Sequence, residues 1–568
     1  MRPRRGARRP PADVGGRAGP RDGDGAGAVI PRPLHAHPAD GRFVLDEGTA
    51  LHADPGFERA ARWLRGVLGA ATGFALPPGP GGIELRHDGR MGEEEYRLAV
   101  RADRVVIEAG GPAGAFYGVQ TLRQLLPADA FRAGRTTAGP WTVSAVTIED
   151  RPRFAWRGVL IDVARRFLPK NELLRYIDLL AMHKLNVLHL HLTDDQGWRL
   201  EIRRYPLLVD VGGWRTESPV GSVVHGTYDG RPHGGYYTQD DIRELVAYAA
   251  DRYVTIVPEI DLPGHAQAAI AAYPELGNLA EPLPVRTEWG VGENTLNVAD
   301  DTIAFFQAVL DEVMELFPGE YICVGGDEAP KGQWRDSVEA KERMRELGLR
   351  DEDELQSWLI GQFTEYLLAR GRKPYGWDEI LEGGPPRGTT VAAWRGSFGA
   401  VTAARLGHDV VVCPFTELYL DFRQSADPAE PVPIGSVTTL RDVYEVEPVP
   451  PGLTPEEAER IIGAQANLWT EHIDSPRLLD YMAFPRLAAF AEIVWGPRGR
   501  DFVDFEDRLR AHERRLDAVG VEYRPATGPR PWQSRPDAPG RPRSRAEVDE
   551  EVAAWTANIV ARYGPGPG

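Results

Sequence analysis

From about residue 154 to 500 the chain alternates between short runs of β-branched and aliphatic residues and longer amphipathic segments. Such a rhythm confines a chain to parallel strands joined by crossover helices, because parallel neighbours cannot be linked by a tight turn. Strands are predicted over Trp156–Ala164, Val187–Thr193, Val254–Asp261, Tyr321–Glu328, Lys373–Trp377, Thr389–Trp394, Asp409–Pro414 and Ala464–Trp469. Helices are predicted over Pro169–Lys184, Asp240–Arg252, Thr302–Phe317 and Glu354–Arg370, the first opening on a proline, which suits a first turn. Eight strands close a (β/α)8 TIM barrel, and inserted loops account for a span above the roughly 250 residues usual for that fold. One connection is irregular: L-E-G-G-P-P-R-G, between the fifth and sixth strands, is too short and broken for a helix.

The flanks read differently. Residues 1–28, rich in Arg, Gly and Pro, are expected to be disordered. Residues 29–150 hold short strands, among them Tyr96–Val100 and Arg104–Ala109, and amphipathic helices over Phe57–Leu68 and Ala113–Leu126. They predict a small α+β accessory domain packed on the barrel of residues 151–500. A helical extension, 501–568, follows: a charged helix to about Val519, a Pro/Arg-rich stretch, and a short helix over Ala546–Tyr563. No chemistry is assigned beyond Tyr523.

A formal charge of −18 opposes nucleic acid and anionic membranes as partners. No stretch has the length and apolarity of a membrane span. Two cysteines, Cys323 and Cys413, lie within predicted strands and read as buried thiols. The arginine-rich start lacks the apolar stretch of a secretory signal, so a cytoplasmic location is expected unless the start is misassigned.

In such a barrel, chemistry gathers at the C-terminal ends of the strands. Those ends carry Asp162 and Arg165, Asp194 and Asp195, Asp261 and His265, and Asp327 with Glu328 after two glycines. They continue with Trp377, Trp394, Tyr419 and Asp421, and Trp469 with Glu471. Adjacent carboxylates at a strand end suit acid/base work, since neighbouring negative charges cannot both ionise freely. Carboxylates, a guanidinium and several indoles on one rim make a sugar site: indole faces stack on pyranose C–H surfaces while the charged groups hold hydroxyls. A metal-dependent hydrolase is the competing enzyme reading, because His189 and His191 face one side of the second strand. Strands five and six end in tryptophan where more ligands would be needed, so both histidines read as hydrogen-bonded core. No cofactor or metal is expected.

The runs V-L-I-D-V-A-R-R-F, L-H-L-H-L-T-D-D-Q-G-W-R, V-P-E-I-D-L-P-G-H, V-G-G-D-E, G-W-D-E-I, Y-L-D and Q-A-N-L-W-T-E occur in this order. Together they resemble the family 20 glycoside hydrolases, the β-N-acetylhexosaminidases, and A-G-A-F-Y-G-V-Q-T-L-R-Q-L-L extends the resemblance into the accessory domain. The resemblance implies an exo-acting, retaining hydrolase of terminal β-linked N-acetylhexosamine whose substrate supplies its own acetamido nucleophile. It implies that Glu328 is the acid/base, that Asp327 orients the acetamido group and that Tyr419 bonds to its oxygen. It further implies that Trp377, Trp394 and Trp469 wall the sugar pocket, that Arg165, Asp421 and Glu471 grip outer hydroxyls, and that Asp194, Asp261 and His265 support the pair. Two positions depart from the pattern: Cys323 and Arg166 stand where the family usually has histidine. A sugar-binding barrel that has lost catalysis is the alternative from another class, and retention of Glu328 speaks against it.

Overall fold

The computed structural model describes residues 25–564, except 280, 385 and 433. The stretch expected to be disordered therefore lies outside the described residues up to 24, while Gly25–Ala28 form one 3-10 turn. Arg515 donates to the Ala28 carbonyl and holds that turn against the C-terminal helix Phe502–Val519.

A six-stranded sheet comes first, in the spatial order His35–Leu45, Trp141–Asp150, Tyr96–Val100, Val105–Ala109, Gly82–His87, Ala50–Ala53. Helix Glu58–Thr72 buries one face through Ala60, Ala61, Leu64 and Leu68. Helix Pro112–Leu125 is buried on nearly every side, from Ala115 and Phe116 to Leu122 and Gln124, as befits a helix between two layers.

The barrel closes with β1 (Trp156–Asp162), β2 (Val187–His191), β3 (Thr255–Leu262), β4 (Tyr321–Gly325), β5 (Lys373–Trp377), β6 (Thr390–Ala393), β7 (Val410–Val412) and β8 (Ile461–Leu468). All pairs are parallel, and β8 returns to β1 through Gln465 opposite Gly158 and Leu468 opposite Ile161. Trp156, Leu160, Val257, Cys323, Tyr375, Val411 and Cys413 fill the interior, and both cysteines are free thiols. Between β5 and β6 the described residues form a single helical turn, Ile380–Gly383. Strand β4 is three residues shorter than the sequence predicts. It stops at Gly325 because Gly325 and Gly326 take φ of +66° and +97°, a region costly to residues with a Cβ.

A buried polar cluster joins sheet and barrel. Lys184 Nζ, at the loop entering β2, donates to Asp150 Oδ2 at 2.8 Å and to Tyr96 Oη at 2.8 Å. Trp495 Nε1 donates to the other Asp150 oxygen at 2.9 Å. Lys184 and Asp150 side chains are fully enclosed, so removing one charge strands the other in a medium that cannot solvate it. Lys184→Ala is expected to destabilise the protein by about 3–5 kcal/mol, read as a lower urea midpoint with active-site kinetics unchanged in the folded fraction.

After Tyr523 the chain does not trail away. Arg535 pairs with Asp474 beyond β8, and the Pro539 carbonyl accepts from Ser222 N, at 2.9 Å, in the loop beyond β2. Arg545 pairs with Glu417 beyond β7 at 2.7 Å. Helices Arg545–Trp555 and Ala557–Tyr563 then cross to β5 and β6, where Arg562 donates to the Glu382 carbonyl at 2.8 Å. This extension arcs over the C-terminal rim of the barrel.

Candidate active site

The strand ends predicted from sequence converge. Asp162, closing β1, accepts from the backbone N–H of Ala164 and Arg165 and from both donors of Thr470, at 2.8 to 3.1 Å, so it fixes the turn that presents Arg165. The Arg165 guanidinium reaches Asp194 Oδ2 at 2.8 Å and lies 5.1 Å from the Trp469 ring centre. Asp194 also receives His191 Nε2 at 2.7 Å and His265 Nδ1 at 3.2 Å. Burial alone would raise its pKa, but Arg165 and the two histidines outweigh that and hold the carboxyl far below its usual range.

His265 carries this network to the acidic pair. Its Nε2 lies 3.4 Å from Glu328 Oε2 and 3.8 Å from Asp327 Oδ2. Both His265 and Glu328 sit at positive φ, +51° and +43°, conformations that a non-glycine residue keeps only when its surroundings impose them. The glycines before the pair are one such constraint: a Cβ on Gly325 would collide with the Asp261 carboxylate, and one on Gly264 would stand 3.0 Å from the Asp327 carbonyl. Burial pulls the His265 pKa down, yet Asp194, Glu328 and Asp261 raise it well above the ordinary histidine range. Asp327, 8% exposed, has its pKa pushed up to about 6, chiefly by burial, with Glu259 and Glu328 adding to the rise against His265. Glu328 is the open member, its side chain 32% exposed.

Aromatic rings wall the other side. Trp377 and Trp469 centres lie 5.9 Å apart, Tyr419 is 6.1 Å from Trp469, and Trp394 stacks 6.2 Å from Tyr419 at 25°. Asp421 and Glu471 complete the rim; burial raises both pKa values, Glu471 adding to the rise at Asp421 and Arg165 opposing it at Glu471. Around this mouth several buried polar atoms have no protein partner: both Asp261 oxygens, Asp327 Oδ1, Asp421 Oδ1, Glu471 Oε2 and Trp469 Nε1. Buried groups are normally hydrogen-bonded, so a concentration of unpaired ones along one pocket marks a place built for a polar ligand.

Glu259 had not been singled out from sequence, yet it anchors the floor. It accepts from His191 Nδ1 at 2.6 Å, Trp377 Nε1 at 2.7 Å and Cys323 Sγ at 3.5 Å, with His189 Nε2 3.3 Å away. Strand periodicity held the signal, since residues 259 and 261 share a face of β3. Glu379, which accepts from Trp394 Nε1 at 2.9 Å, was missed in the same way. Cys323 gives Glu259 only a weak thiol donor. Arg166 turns away from the pair, its guanidinium 5.1 Å from the Trp289 ring.

Several His/carboxylate sets here, such as His191, Asp194 and Asp261 or Asp261, His265 and Asp327, have donor atoms within 4.8 Å of one another. Both His191 nitrogens already face carboxylates, so ligation by that ring would break a hydrogen bond. These contacts make His191 the core residue the sequence predicts.

Known proteins resemble this chain in sequence and fold. The family model for the glycosyl hydrolase family 20 catalytic domain matches residues 154–498, and that for domain 2 of the same family matches residues 26–151. A beta-hexosaminidase of Porphyromonas gingivalis is 40% identical over 507 residues, a match covering 87% of this chain and 64% of that protein. A beta-N-acetylhexosaminidase of Cellulomonas fimi is 36% identical over 533 residues, 90% of this chain and 99% of that one. The exo-beta-N-acetylglucosaminidase of Vibrio harveyi, solved in complex with N-acetylglucosamine, superposes with a TM-score of 0.81 at 34% identity, covering 90% of this chain and 80% of the other. With both family domains matched end to end, the chain belongs to glycosyl hydrolase family 20.

Proposed function

We propose that the protein is a β-N-acetylhexosaminidase that releases terminal, non-reducing β-linked N-acetylhexosamine from chito-oligosaccharides and glycans, with retention and by substrate assistance. The observation that carries this reading is the adjacent pair Asp327–Glu328: one acid buried, with its pKa pushed up to about 6, the other open to the mouth. A conventional retaining site sets two carboxyls about 5–5.5 Å apart across the scissile bond. Neighbours on one strand end instead address one side of one sugar.

In this mechanism Glu328 protonates the glycosidic oxygen while the substrate's 2-acetamido carbonyl attacks the anomeric carbon from the opposite face. The C–O bond breaks as the oxazolinium ring closes. Ionised Asp327 orients the acetamido N–H and balances the positive charge gathering there, and Tyr419 donates to the acetamido oxygen. Glu328, now a carboxylate, takes a proton from the water that reopens the ring. Trp377, Trp394 and Trp469 enclose the sugar and exclude water, which strengthens each electrostatic contact.

Comparison of 4-nitrophenyl N-acetyl-β-glucosaminide with 4-nitrophenyl β-glucoside, which lacks the acetamido group, tests substrate assistance. A collapse of kcat/KM on the glucoside is expected, and comparable values on both would overturn the mechanism.

Exo action is tied to Arg165, Asp421 and Glu471, which crowd the space where a polymer would continue. Arg165→Ala should lower kcat/KM on chitobiose roughly tenfold to more than a hundredfold, the loss of a charged hydrogen bond in the transition state. On a chito-oligosaccharide labelled at its reducing end, single sugars should leave in succession. Early mid-length labelled fragments would show an open cleft.

A further inference from the structure

The C-terminal extension beyond residue 498 lies outside the stretch matched by the family's catalytic-domain model, yet it delivers an aromatic side chain to the pocket wall. Trp555, the last residue of helix Arg545–Trp555, lies 5.1 Å from the Trp394 ring at 43° and 5.4 Å from Phe415 at 75°. Phe415 in turn meets Tyr419 edge-on at 5.0 Å, and Trp394 stacks on Tyr419. Buried Arg395 donates to the Trp555 carbonyl at 2.8 Å while its Nε is bonded to Asp378, so the end of the helix is fastened to the end of β6. These contacts brace Trp394 and Phe415 against the extension.

We propose that Trp555 is a specificity-determining residue of the sugar pocket: by backing Trp394 and Phe415 it fixes the depth of the wall that meets the substrate's N-acyl group. The inference rests on the reading that this wall encloses the acetamido group. Aromatic packing of this kind resists displacement because the ring fills space that nothing else occupies. With Trp555 in place the wall has no slack, and an acyl chain longer than acetyl is rejected. With the ring removed, Trp394 gains room to recede.

The test uses the full-length protein and compares 4-nitrophenyl glycosides carrying N-acetyl and N-butanoyl groups. In Trp555→Ala the N-butanoyl to N-acetyl ratio of kcat/KM should rise about tenfold or more, the scale on which hydrophobic pockets discriminate methylenes. Trp555→Phe should restore most of the wild-type ratio. The ratio does not depend on the fraction of folded enzyme, so a purely structural role would lower both rates and leave it unchanged. Should Trp555→Ala fail to fold, Trp555→Leu, which keeps an apolar side chain but removes the ring that meets Trp394 and Phe415, should move the ratio in the same direction. A ratio within twofold of wild type in the folded variants overturns the inference. If the wild-type protein hydrolyses the plain glucoside as fast as the N-acetyl substrate, it is the acetamido reading that fails.

Discussion

Glu328→Gln is expected to lower kcat/KM on chitobiose by about 10²–10⁴, the range a positioned general acid supplies. The substitution keeps shape and hydrogen-bonding capacity but removes the transferable proton. Glu328 is held at φ +43° directly after Asp327, 3.4 Å from His265, and no other carboxyl among the described residues shares that exposed position at the end of β4. A sugar alkoxide cannot depart without protonation, whereas 2,4-dinitrophenolate can. Because kcat/KM reports only through the first irreversible step, the later base role of Glu328 does not enter it. The dinitrophenyl glycoside should therefore retain kcat/KM within about tenfold of wild type. Equal losses on the two substrates would remove Glu328 from the acid role.

The strand ends were legible in the sequence because the barrel imposes a rule on them. Alternation locates eight strands, and the fold sends function to their C-terminal ends, so Arg165, Asp194, His265 and Trp469 could be named before any geometry was known. What they do to one another was not legible. That Asp194 would serve Arg165, His191 and His265 at once depends on side-chain directions across three strands, and local sequence says nothing of those. Glu259 was overlooked for a related reason: a carboxylate within a buried strand looks like a misfit until its partners, His189 and His191 on β2 and Trp377 on β5, are brought to it.

The contacts of the extension after Tyr523 were not legible in its composition. In a Pro/Arg-rich stretch nothing local distinguishes an arginine that pairs with water from one that pairs with a rim carboxylate. Arg535 with Asp474, Arg545 with Glu417 and Arg562 with the Glu382 carbonyl turn the stretch into a strap. Exposed ion pairs of this kind are individually worth little. Their effect is to position Trp555, whose ring then packs against a preformed aromatic wall. Short strand β4 shows the reverse case, a local signal that was read too loosely, since the two glycines end the strand before the acids rather than carrying them within it.

Asp327→Asn should behave differently from Glu328→Gln in both kinetics and stability. It should slow good and poor leaving groups alike, by about 10²–10³, the usual cost of losing one preorganised charge-stabilising group. Asparagine cannot balance the positive charge of the forming oxazolinium, whatever the leaving group. The wild-type enzyme should lose kcat/KM as pH falls through about 6, because protonating Asp327 discards the same charge. In a tightly interacting cluster that limb belongs to the group of acids as a whole, but Asp327→Asn should flatten it. The sign for stability runs the other way. A carboxyl whose pKa rises from 3.8 unfolded to about 6 folded holds its proton more tightly in the native state. Ionising it therefore opposes folding, with the full penalty present above about pH 6 and absent below about pH 4. The variant should accordingly be more stable than wild type at pH 7 by up to about 3 kcal/mol, and the difference should vanish at pH 4. Thermal unfolding of both proteins at the two pH values measures this. A variant no more stable at pH 7 than at pH 4, relative to wild type, would mean that Asp327 is not the strained carboxylate its burial makes it.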